Sequence, residues 1–128
     1  MGILDRVVRR RPEEAEVSRR LADAVAGVAG VTSHDVAYNH QQYRQGALTG
    51  TVEVPDAWTF SQVLVAATRR LQDCLGDDAQ RVTVYLAGRL PDGETVVPGD
   101  LGLSQPPLAR ELVRWLARKD AAGPDVKP

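Results

Sequence analysis

Apolar residues recur along this chain with two different periods, and the switches between them predict its secondary structure. Val17, Leu21, Ala24, Val25 and Val28 follow steps of three and four, with Ser18, Arg19, Arg20 and Asp23 on the opposite, water-facing side. That spacing predicts an amphipathic helix from about Pro12 to Ala26. Proline is tolerated in a first helical turn, Glu13, Glu14 and Glu16 suit its positive end, and Gly27 and Gly30 supply the stop. From Val31 the period shortens to two. His34, Val36, Tyr38 and His40 share one parity and Ser33, Asp35, Ala37 and Asn39 the other, which reads as a strand.

A second strand is clearer. ALTGTVEV, residues 47–54, alternates Leu48, Gly50, Val52 and Val54 against Thr49, Thr51 and Glu53. The intervening NHQQYRQG reads as a hairpin tip or loop that closes on Gly46 at positive φ. Either Asp56 or Thr59 can cap a second helix reaching Leu75, in which Phe60, Val63, Leu64, Ala67, Leu71, Cys74 and Leu75 give the strongest periodic signal in the chain. Gly76 follows as its C-cap. A third strand, RVTVYLAG, sets Val82, Val84 and Leu86 against Arg81, Thr83, Tyr85 and Ala87, and the turn LPDG leads into a short fourth strand, ETVV, stopped by Pro98. Pro106 and Pro107 then open a last helix through about Lys119, with Leu108, Leu112, Trp115 and Leu116 on one face.

Helix, two strands, helix, two strands, helix predicts an α+β fold: a four-stranded antiparallel or mixed sheet with two helices on one face and a further C-terminal helix. The order αββαββ is that of a ferredoxin-like chain whose first strand has been moved to its end; a plain antiparallel meander is the alternative. The chain divides into a basic amphipathic segment at 1–11, one domain at 12–119 and a tail at 120–128 without apolar periodicity, expected to be disordered.

Composition narrows the function. The 128 residues contain 43% apolar side chains, enough for one core, and 16 Lys and Arg against 17 Asp and Glu leave a net charge of -1. No global field favours nucleic acid, so a partner has to be recognised locally. One cysteine forms no internal disulfide, and no apolar run is long enough to span a bilayer, which makes a soluble cytoplasmic protein of a GC-rich bacterium the expectation. Arg6, Arg9, Arg10 and Arg11, beside the apolar Ile3, Leu4, Val7 and Val8 of the first segment, offer a way to touch an anionic membrane surface or an acidic partner.

LADAVAGVAGV, LTGTVEV, FSQVLVAATRRLQDCLG and RVTVYL, within residues 14–87, together resemble the small αββαβ modules of the BON and alkaline-shock protein types. The resemblance implies a non-catalytic binding or envelope-stress module. The alkaline-shock type has a tyrosine-glycine pair after its second strand, where this chain has Pro55 and Asp56.

Candidate chemistry is sparse. His34, His40, Cys74, Asp35 and Asp92 are the available metal ligands, but no paired zinc or calcium spacing is present, and His34 and His40 lie roughly 20 Å apart if the strand is extended. No metal and no cofactor are expected. Cys74 falls on an apolar helical stripe and reads as a core residue; GVAG at 27–30 precedes a strand and not the helix that a phosphate loop needs. His40, Tyr43 and Arg44 at the hairpin tip are the candidates for acid-base or ligand chemistry. The sheet face carrying Thr49, Thr51, Glu53, Arg81, Thr83 and Tyr85 has one aromatic residue and a carboxylate, a poor platform for nucleic acid. Two coverings are open for it: the last helix with Trp115, or a second copy of the chain. The leading expectation is a non-enzymatic interaction or scaffold domain, a homodimer or a binder of another protein. A small enzyme or ligand-binding protein built on His40, Tyr43 and Arg44 is the alternative, and peripheral membrane attachment through the basic N-terminus a third.

Overall fold

In the computed structural model, which describes residues 13–39 and 46–121, the two hydrophobic periods become three helices packed on an open sheet. The helices are α1 (Glu14–Ala26), α2 (Ala57–Leu75) and α3 (Ala109–Ala121); the strands are β1 (Ser33–His34), β2 (Ala37–Asn39), β3 (Ala47–Glu53), β4 (Thr83–Arg89) and β5 (Thr95–Val96). The sheet is mixed. β1 and β2 run antiparallel to β3, β3 runs parallel to β4, and β4 runs antiparallel to β5. The fold is α+β in the expected chain order, and the strands lie in the sheet in that same order. A permuted ferredoxin sheet would place its last strand between the two central ones; here β3 and β4 pair directly and β5 sits outside β4.

The first predicted strand is divided in two by one local event. β1 and β2 share a register on β3, from Ser33 opposite Glu53 to Asn39 opposite Ala47. Between them the Asp35 N–H donates to the Thr51 carbonyl at 3.2 Å, but the Thr51 N–H donates at 2.6 Å to the Asp35 carboxylate, which takes the place of a backbone carbonyl. Gly50 lies opposite this break. It has φ +151°, and a Cβ there would stand 2.8 Å from the Val36 Cα, so only glycine lets the two backbones approach this closely.

α1 covers β2 and lies against α2. Val17, Leu21 and Val25 are fully buried, as their spacing predicts. Ser18 does not face water as expected. Its hydroxyl accepts the Tyr38 N–H at 2.6 Å and donates to the Tyr38 carbonyl at 3.0 Å. β2 is an edge strand whose outward backbone groups need partners, and a residue adjoining the apolar stripe of α1 is well placed to supply them.

α2 is capped by Asp56, whose carboxylate accepts both the N–H and the hydroxyl of Thr59, at 2.8 and 2.7 Å. Its buried Phe60, Val63, Leu64, Ala67 and Leu71 form the centre of the core with Leu48, Val52, Val84 and Leu86 of the sheet. Gly76 ends the helix at φ 58°, as predicted. A 3-10 turn then spans Gly76–Arg81 with Ala79 buried, so Arg81 belongs to that turn and not to β4. The LPDG turn forms as its chemistry dictates: the Gly93 N–H bonds Leu90 and the Asp92 carboxylate accepts the Glu94 N–H.

The last helix begins and ends two residues later than its pattern predicts. Pro107 and Leu108 act instead as an extra edge of the sheet: the Val84 N–H donates to the Pro107 carbonyl at 2.9 Å and the Ala109 N–H to Val82 at 2.8 Å. Asp120, assigned above to the tail, lies in α3 and pairs with Arg69 of α2 at 3.2 Å. α3 packs against α2 and the 76–81 turn. Of the two coverings left open for the other sheet face, the last helix is not the one: its apolar face packs beside α2.

The double hydrogen bond of Ser18 generates a test. Ser18→Ala leaves both outward groups of Tyr38 without their partner and is expected to lower unfolding free energy by about 1–2 kcal/mol, read as a reduced urea midpoint at constant m-value. A loss within experimental error would show that this clamp does not hold the edge.

Candidate functional site

Alternation fixes what the sheet face turned away from the described helices displays. Leu48, Val52, Val54, Val84 and Leu86 turn towards the helices and are buried, so Thr49, Thr51, Glu53, Thr83, Tyr85, Ala87 and Arg89 turn the other way. The parallel register places them in rows across the sheet. Thr83 lies beside Ala47, Tyr85 beside Thr49, Ala87 beside Thr51 and Arg89 beside Glu53. The outer strands lengthen three of these rows, with Asn39 next to Ala47, Ala37 next to Thr49, Ser33 next to Glu53 and Thr95 next to Arg89. Four of the five residues singled out for interaction, Thr49, Thr51, Thr83 and Tyr85, thus share one surface.

Tyr85, 38% exposed, is the one large apolar side chain that stands exposed among the described residues. Around it the surface is small and polar: Thr49, Thr51, Thr83 and Ala87 are half-buried and Ala37 is exposed. At one end Glu53 and Arg89 are both exposed neighbours on adjacent strands, with no ion pair between them. A cleft of about 430 Å³ opens beside this pair, at the C-terminal ends of the two parallel strands, with Thr32, Pro55 and Pro91 in its walls.

The remaining candidates lie elsewhere. Trp115, the fifth interaction residue, packs partly buried against the core cluster, with the Lys119 ammonium 5.0 Å from its ring centroid. Arg81 leaves the sheet face for the 3-10 turn. His34 is half-buried with its Nδ1 enclosed and without a hydrogen-bond partner. His40, Tyr43 and Arg44 fall outside the described residues, as do Arg6, Arg9, Arg10 and Arg11 and the tail beyond 121. Among the described residues no group of three His, Cys, Asp or Glu side chains converges as a metal site would require, and no helix is long and apolar enough to cross a membrane.

Two polar contacts had no legible signal. The bonds of Asp35 to Thr51 and of Ser18 to Tyr38 depend on which residues the register brings opposite, and neither serine nor aspartate announces such a role in one dimension.

No family model, no curated protein and no solved structure matches this chain.

Cys74 is buried on α2, and that burial pushes its thiol above its ordinary range against the opposing pull of Arg20 and Arg70. A raised value keeps the thiol protonated at pH 8, so alkylation by iodoacetamide should run at least about tenfold slower in the folded protein than in urea. Equal rates would show the thiol to be accessible and ionised.

Proposed function

We propose that the protein is a non-enzymatic interaction domain of the bacterial cytoplasm and that its open sheet face takes a second copy of the same chain. The observation that carries this reading is the register of β3 on β4, which puts Glu53 beside Arg89 and Thr49 beside Tyr85. A two-fold axis running along the strands between β3 and β4 lays β3 of one protomer over β4 of its partner. Each Glu53 then meets an arginine and each Arg89 a glutamate, while Tyr85 rests on Thr49. The face is complementary to itself, which an isologous dimer requires. Face-to-face packing of two twisted sheets at about 10 Å suits small side chains such as Thr, Ala and Ser around a single tyrosine.

Two further points support the reading. Parallel strand pairs are as a rule covered on both faces, and the helices of the described residues cover one. The BON and alkaline-shock modules that the element order resembles are themselves non-catalytic. The size of the surface sets the strength: four strands of up to seven residues give about 400 Å² per protomer, below the roughly 800 Å² of a standard interface, so the dimer is weak and reversible.

Charge reversal separates this geometry from non-specific association. Glu53→Arg and Arg89→Glu each place like charges across the interface and should weaken dimerisation, read by sedimentation equilibrium, by about tenfold or more. The double variant E53R/R89E restores opposite charges and should recover the wild-type constant. Failure of the double variant to recover while both singles remain folded would contradict the proposed pairing.

A further inference from the structure

Outside the open face, three exposed arginines line adjoining clefts where α3 meets the 3-10 turn. Arg81 and Arg110 line one cleft of about 620 Å³, and Arg110 and Arg114 line a second of about 560 Å³. The two clefts share Leu108 and Arg110, so they are the two sides of a single basic rim. That these residues lie near one another follows from the backbone. The Ala109 N–H bonds the Val82 carbonyl, which brings Arg81, one residue before Val82, near Arg110, one residue after Ala109. Arg114 stands one helical turn further along the same face.

None of the three arginines has a carboxylate within ion-pair distance among the described residues, where the ion pairs are Arg19 with Asp23 and Arg69 with Asp120. The clefts do contain two acidic side chains. Glu111 is already engaged, accepting the Ser104 N–H at 2.9 Å, and Asp77 lines the first cleft together with Gln80 and Arg81. Three positive groups against two negative ones leave a positive excess that an anion can offset.

We propose that this rim is an anion site that binds the phosphoryl groups of a small molecule, a diphosphate spanning both clefts through Arg110. Arginine presents a planar fork of donors that matches phosphoryl oxygens in pairs, and three forks along a shared rim suit a ligand with several such oxygens better than a single carboxylate. No aromatic side chain lines either cleft, so the phosphoryl part is what is read and an attached base has nothing to stack on. The site uses no residue of the open face and stands independently of dimerisation.

The test is titration of the ¹⁵N-labelled protein with inorganic pyrophosphate at low salt, followed by NMR. Saturable shifts centred on Arg81 and residues 108–114 are expected, with Arg110→Gln and Arg114→Gln each weakening binding by about tenfold or more. Arg118→Gln, on the same helix but outside both clefts, should bind as the wild type does. Sulfate at equal ionic strength should bind more weakly, and orthophosphate should fall between the two. Shifts without saturation, equal affinity for sulfate, or an equal loss in the Arg118 variant would each overturn the site in favour of general charge attraction.

Discussion

Parallel strands cannot be joined by a tight turn, so the seven-residue pairing of β3 with β4 obliges the chain to leave the sheet between them, and α2 is that excursion. Much else follows from it. The excursion returns over one face, where Phe60, Val63, Leu64 and Leu71 bury the inward residues of both strands. α1 joins it there, and α3 packs on its flank through its buried Ala109, Leu112 and Leu116, with the Arg69–Asp120 pair at the exposed edge of that contact. The three helices of the described residues are all used on this side, and none of them is left for the second sheet face. Glycine makes the central packing tight: a Cβ at Gly88 would lie 2.9 Å from Phe60 and 2.7 Å from Val96. The same pairing sets the rows of side chains on the open face, so core and surface share one cause.

Most of the elements were legible because each depends on near neighbours in the chain. The stripes of α1 and α2, the Asp56 cap, the Gly76 stop and the Leu90–Gly93 turn all arise within a few residues of one another. The alternation of β3 and β4 also told which residues share the open face, and it placed Thr49, Thr51, Thr83 and Tyr85 together. What stayed hidden depends on residues far apart in sequence. Strand order in the sheet is a matter of which partners meet, and the hydrophobic pattern is the same for either arrangement. Ser18 looked solvent-facing because its helix position borders the stripe, and only the outward backbone of Tyr38 gives it a partner. Arg81 kept the parity of the strand that follows it, yet the buried Ala79 draws residues 76–81 into a 3-10 turn and carries it away.

Function was less legible than fold for a physical reason. The side chains that crowd together in the sequence, His40, Tyr43 and Arg44, fall outside the described residues, whereas the surfaces with the clearest chemistry are assembled from separate segments. The self-complementary row needs residues 36 apart to lie side by side, as Glu53 and Arg89 do. The arginine rim needs the 3-10 turn to meet the start of α3. Both surfaces carry charges that the fold leaves unpaired among the described residues, on the face and at the corner that the core does not use.

A dilution series followed by ¹H–¹⁵N NMR measures most directly whether the open face is where copies meet. Concentration-dependent shifts are expected, confined to Thr49, Thr51, Glu53, Tyr85, Ala87 and Arg89 and their neighbours on β3 and β4. Shifts that centre instead on the outer faces of α2 and α3, or a spectrum unchanged across the series, would contradict dimerisation through this face.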